Sequence, residues 1–133
     1  MEQPEVVIEG VEFPEARPRI AAALRSLSDV SYQQRAWVRR TPAADDPPGD
    51  LTTAINVLYD DHHVLDDPEA AWGPVLRNDT EVAAMKRLAD LLNSLIEEKG
   101  WAGDEEYVAA PAWTSVAEAA DAALREMCRP QAG

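Results

Sequence analysis

One run limits the possible folds more than any other. From Asn78 to Gly100 the chain reads NDTEVAAMKRLADLLNSLIEEKG, and Val82, Met85, Leu88, Ala89, Leu92, Leu95 and Ile96 recur at the helical period. Asn78 and Glu81 stand at capping-box spacing, with Asn in place of the usual Ser or Thr. Lys99 suits the negative C-terminal end, and Gly100 supplies the left-handed stop. A helix of this kind has a single apolar stripe, which it must bury against something else.

The rest of the chain offers mainly further helices. From Arg17 to Leu27, Ile20, Leu24 and Leu27 fall at helical spacing, and Pro18 fits a first turn where its missing N–H costs nothing. Ser28 or Asp29 can cap a second short helix running through YQQRAWVRR. TPAADDPPGD, residues 41–50, is a proline-rich loop, because Pro47, Pro48 and Gly49 interrupt any regular element. Asp50 is a natural N-cap for LTTAINVLY, in which Leu51, Ile55, Leu58 and Tyr59 line one face. A helical turn, DEEYV from Asp104, precedes a last helix that opens at Pro111 and places Trp113, Val116, Ala120, Ala123, Leu124 and Met127 on one side. VVIEGVEF, from Val6 to Phe13, reads as extended chain, broken at Gly10 and followed by Pro14.

The expected fold is therefore mostly α: a compact single-domain bundle of about four main helices plus short helical turns, with an extended N-terminal segment. Its 133 residues, 46% of them hydrophobic, suit one core, and residues 1–133 are read as one domain with a compact part of about 13–128. The tryptophans Trp37, Trp72, Trp101 and Trp113 lie in four segments and are expected to pin peripheral elements to that core. Trp72, beside Gly73 and Pro74, is the one best placed for a binding surface. The single Cys128 calls for no oxidising compartment, the N-terminus lacks a secretory pattern, and runs such as IAAAL are too short to span a bilayer. These features point to a soluble cytoplasmic protein that does not enter membranes.

The net charge of −13 is unevenly placed. Residues 1–40 carry six acidic and six basic side chains, whereas residues 41–133 carry nineteen acidic and six basic. A surface of that sign repels nucleic acid and anionic membrane and attracts a basic protein. The plainer alternative is that acidity serves solubility alone.

The charge is densest in NVLYDDHHVLDDPEAAW, Asn56 to Trp72. Asp67 before Pro68 is explained locally, as an N-cap followed by an N1 proline. Asp60 and Asp61 are not: they fall at the negative end of a helix, where each carboxylate loses about 0.3–1 kcal/mol. Something should offset that cost. The internal candidates are Arg35, Arg39 and Arg40, from a stretch (16–40) with six Arg and one Asp; the external one is a basic partner. His62 and His63 would make either arrangement sensitive to pH near neutrality.

A metal site would use Asp60, Asp61, His63 and Asp67, with Asp60 and His63 three apart on one face if the helix continued. The EF-hand ligand spacing and the HExxH pattern are both absent, and Cys128 has no cysteine companions. There is no GxSxG, no Walker loop and no GxGxxG, so no catalytic residues and no cofactor are assigned.

Taken in order, YQQRAWVRR, a proline-rich gap, LTTAINVLYDD, LDDPEAAWGPVLRNDTEVAAM and YVAAPAW resemble a family of small, acidic, uncharacterised actinobacterial proteins, over roughly Phe13 to Leu124. Tyr32, Trp37, Tyr59, Asp60, Asp61, Asp67, Pro68, Gly73, Leu76, Glu81, Pro111 and Trp113 carry the likeness. Where such proteins have a small polar residue after the double aspartate, this chain has His62 and His63. The resemblance implies a compact cytoplasmic domain and no established activity.

The reading that follows is a non-enzymatic acidic binding protein, most concretely an immunity-type inhibitor docking on a basic partner. Asp60, Asp61, Asp66 and Trp72 would form the contact, with Tyr59 as buried support. A metal-binding protein or metal-dependent hydrolase built on the Asp/His cluster is one alternative, and a structural or regulatory homodimer is another.

Overall fold

The structure is a computed structural model that describes residues 7–8, 10–46, 49–100 and 102–129. Val6, Pro47, Pro48 and Trp101, all used in the sequence reading, lie outside the described residues. In chain order the helices are α1 (Ala16–Ser28), α2 (Val30–Gln33), α3 (Leu51–Ile55), α4 (Asp79–Lys99), α5 (Asp104–Ala109) and α6 (Trp113–Cys128). Two wider π-helical turns continue α2 over Gln34–Val38 and α3 over Asn56–Asp61.

Helix starts follow the side chains the sequence supplies. The Asp29 carboxylate accepts from Tyr32 N at 3.0 Å, Asp50 from Thr53 N at 3.0 Å, and the Asn78 amide oxygen from Glu81 N at 2.9 Å. Each satisfies one of the donors that a helix N-terminus leaves without an intrahelical partner. α4 stops at Gly100, whose φ of 57° disfavours residues with a side chain, and whose N–H donates to Ile96 O at 2.7 Å.

The predicted stripes meet. α6 packs against both α1 and α4. Val116, Ala120, Ala123 and Met127 are buried against Ile20, Leu24 and Leu27 of α1 and Met85, Leu88, Leu92 and Leu95 of α4, all in one hydrophobic cluster. The alanines on α6 leave room for its neighbours to approach, and Leu124 packs partly buried at the margin. The stripe of the last helix is thus covered within the chain.

Two tryptophans pin peripheral turns as expected. Trp37 meets Tyr32 and Trp113 edge-on, with ring centroids 5.9 and 6.4 Å apart. Trp113 Nε1 donates to Gln33 Oε1 at 2.8 Å, and Gln33 Nε2 donates to the carbonyls of Ser26 and Leu27 at 2.7 and 2.8 Å. Trp72 does not join them and is 53% exposed.

Among the described residues there is no β-strand, only an isolated parallel bridge between Trp72 and Leu76. The N-terminal segment, expected to be extended, bends at residues 10–12 and is held through its backbone: Val7 N donates to Met127 O at 2.9 Å, Glu12 N to Gly73 O at 2.9 Å and Phe13 N to Pro74 O at 2.8 Å. Among the described residues no helix is long and apolar enough to cross a membrane.

Glu81 departs from its expected part. A capping box would send its carboxylate back to Asn78 N–H. It turns inward instead and accepts from Arg77 N at 2.9 Å, Arg77 Nε at 2.6 Å, and Arg17 Nη1 and Nη2 at 2.9 Å each. All three side chains are buried. The remaining donors of Arg17 reach the carbonyls of Val7, Val75 (2.7 Å) and Met127 (3.2 Å), and Arg77 Nη2 reaches those of Glu126 and Arg129 at 2.9 and 2.8 Å. Burial pushes the Glu81 carboxyl up, but the hydrogen bonds and charge of Arg17, with hydrogen bonds from the Arg77 backbone and side chain, outweigh it and hold it below the ordinary glutamate value. This charged trio closes the end of the bundle where α1, α4 and the end of α6 converge.

Candidate functional site

The acidic stretch begins on the π-turn after α3. His62 N donates to Val57 O at 3.2 Å, a wide closure that ends the helix. Leu58 of that turn is fully buried, and Tyr59 is half-buried with its hydroxyl donating to Asn93 Oδ1 at 2.6 Å, so the turn is anchored to α4. Burial and the nearby charge of Asp66 push the Tyr59 hydroxyl up to about 12, so it stays a neutral donor. Asp60 and Asp61 are exposed beside these anchors.

The chain then leaves the helix. His63 has a φ of 56°, a left-handed conformation uncommon outside glycine, asparagine and aspartate. Val64 and Leu65 dip into the core, and Asp66 returns to the surface, 3.3 Å from His63 Nδ1. Asp67 accepts from Ala70 N at 3.3 Å, so the predicted Asp–Pro cap closes a turn and not a helix.

Among the described residues none of the three predicted internal partners, Arg35, Arg39 and Arg40, pairs with the acidic cluster. Arg35 grips Asp46 in the proline-rich loop, with Nε to Oδ2 at 3.0 Å and Nη2 to Oδ1 at 2.6 Å. The hydrogen bond from Arg35 lowers the Asp46 pKa, helped by a second from Ala43 N. Among the described residues no ion pair joins Arg39 or Arg40 to the cluster; Arg19 of α1 is the one that approaches, 3.8 Å from Asp61, with both side chains largely exposed. At that distance and exposure the pair adds at most about 1 kcal/mol.

The residues of the metal alternative do not converge. His63 has turned off the helix, so it does not share a face with Asp60. Among the described residues no three His, Cys, Asp or Glu side chains gather as a metal site, so Asp60, Asp61, His63 and Asp67 form no ligand set. Cys128 is buried, and its burial pushes the thiol pKa up, away from the thiolate a nucleophile requires.

Two grooves mark the surface. The larger, about 940 Å³, runs between α1, α3 and the end of α6. It carries three arginines, and its four aspartates already have work inside the fold: Asp29 and Asp50 cap helices, Asp46 holds Arg35 and Asp121 holds Arg125. The smaller, about 700 Å³, lies between the start of α1 and the acidic stretch. Four carboxylates, Glu15, Asp61, Asp66 and Asp67, face a single arginine, Arg19, around an apolar floor that includes Phe13, Ala71, Pro74 and Val75. His62 also lines it; its Nε2 is buried and has no hydrogen-bond partner among the described residues. The imidazole pKa is lowered, chiefly by burial and then by Arg19, which keeps the ring neutral.

Of the predicted contact residues, Asp61 and Asp66 line this groove, whereas Asp60 is on the adjoining surface and Trp72 follows the lining residue Ala71 in the chain. Sequence reasoning missed Phe13, 46% exposed, and Arg19. The signal for both was weak: one was assigned to an extended segment, and the other sits on the outer side of a helix read for its apolar stripe.

Fold and groove together define a class, a small all-helical protein with an acidic groove open at its surface. The chain belongs to the family described as a domain of unknown function, DUF7945, whose match spans residues 11–132. No curated protein and no solved structure matches the chain.

Proposed function

We propose that the chain is a non-enzymatic binding protein that docks on a basic protein through its acidic face around residues 60–72, most concretely as an immunity-type inhibitor of a basic toxin. The observation that carries this reading is the exposure of Asp60, Asp61 and Asp66 with, among the described residues, only a 3.8 Å contact to Arg19 and a histidine contact to offset them. Carboxylates left in water at a helix end cost the fold a little and gain it nothing, whereas they speed encounter with a cationic surface. Trp72, exposed beside them, has the size and amphipathic character of an interface anchor.

The test starts from the tagged chain expressed in its native host. A protein retained by wild type and lost by the D60N/D61N/D66N/W72A variant is identified, and its association rate is measured at about 20 mM and about 500 mM salt. The expected partner is basic, with an on-rate that falls at least about tenfold at high salt. An acidic partner, or an on-rate indifferent to salt, overturns the proposal.

A further inference from the structure

We infer that the smaller groove is a receptor for one arginine side chain projected by the basic partner. This rests on the docking reading above and names what the docking face would grip. Three features of the groove favour a guanidinium over a generic positive charge.

The first is charge complementarity over an apolar floor. Four carboxylates line a groove of about 700 Å³ against one arginine, and among the described residues that arginine forms an ion pair with Asp61 alone, at 3.8 Å. An arginine carries an apolar stem and a charged head, so Ala71, Pro74 and Val75 suit its methylenes while the rim suits its charge.

The second is the acceptor set. Asp61 and Asp66, at either end of the turn 62–65, both offer carboxylate oxygens to the groove. A planar fork with five N–H groups can serve several acceptors at once; a lysine ammonium is a compact, strongly hydrated point charge.

The third is an exposed aromatic ring at the groove, Phe13, with Trp72 on the adjoining segment. Phe13 lines the groove, and the segment carrying it is bonded to the one carrying Trp72 through Glu12 N–Gly73 O at 2.9 Å and Phe13 N–Pro74 O at 2.8 Å. Guanidinium groups stack on such faces more readily than ammonium groups do.

The experiment is an amide-resolved NMR titration of the full chain with two capped tripeptides, acetyl-Gly-Arg-Gly-amide and acetyl-Gly-Lys-Gly-amide. The arginine peptide is expected to shift amides in 12–19 and 61–76 saturably, and to bind about threefold to fivefold tighter than the lysine peptide, the size of one exposed cation–π contact. D66N should weaken the arginine peptide by a similar factor without moving the melting temperature, since Asp66 is exposed, and F13A should weaken it alike, its melting temperature read alongside to separate a lost ring contact from lost packing. Equal binding of the two peptides, shifts spread evenly over other acidic segments such as 104–106, or no shift with either peptide overturns the groove assignment. The salt dependence of the whole partner is read separately. If it persists while the peptides fail to discriminate, the groove falls alone; if it vanishes, the docking face falls with it.

Discussion

Replacing Glu81 by glutamine should damage this fold more than any other single polar change. Glutamine keeps the shape, so no cavity opens. It removes the one negative charge between two buried guanidinium groups and puts an NH₂ where one carboxylate oxygen accepts from both arginines. Breaking a buried ion pair from one side costs about 3–5 kcal/mol, because the surviving charge stays buried without compensation. For a domain of this length each kcal/mol lowers the melting temperature by about 3–5 °C, so E81Q should melt roughly 10–20 °C below wild type. Urea unfolding followed by tryptophan emission reports directly, since Trp37 and Trp113 are buried beside the core. With a slope of about 1–3 kcal/mol per molar, the midpoint should fall by at least about 1 M. Glu97→Gln, on the exposed side of α4, is the control and should stay within about 0.5 kcal/mol. The sign of the pH dependence follows from the lowered Glu81 pKa. The stabilisation is fully present above the unfolded value near 4.5 and is lost as pH falls through the still lower folded value, so the gap between wild type and E81Q narrows in acid. A loss under about 1 kcal/mol at neutral pH, or a gap that widens in acid, would refute the reasoning.

Two further changes test the elements that frame the two grooves. Asp50→Ala removes the acceptor for Thr53 N and should cost about 1 kcal/mol in urea unfolding, with faster amide exchange over 51–55. His62 is held neutral by burial, so between its folded pKa and the ordinary 6.5 the unfolded chain binds more protons; stability should fall as pH drops below 6.5, and His62→Asn should flatten that slope in thermal melts.

Helices were legible wherever an apolar stripe coincided with a capping side chain. Asp29, Asp50 and Asn78 cap in the structure because an Asx oxygen three residues ahead of a free N–H needs only local geometry. Glu81 shows where such reasoning stops. Its spacing from Asn78 fits a local motif, but two arginines, one of them sixty-four positions away, compete for the same oxygens and win. Arg17 was hidden for the same reason: nothing in ARPRIAAALR marks one arginine as buried and its neighbour Arg19 as exposed, since that depends on which way α1 faces once α4 and α6 are in place. The acidic stretch was visible as composition. Its groove was not, because the floor comes partly from Phe13 and Pro74, brought together by backbone hydrogen bonds that no side-chain pattern encodes.

The Arg17–Glu81–Arg77 trio also imposes an order on assembly. Its carbonyl acceptors at Glu126, Met127 and Arg129 are the last parts of it to be synthesised. On the ribosome, α1 and α4 can meet earlier, but their arginines must keep water on those N–H groups until the end of α6 emerges. Closure of that corner therefore follows the emergence of α1 and α4, and a nascent chain stalled before residue 126 would hold the two guanidinium groups in a wet, open pocket.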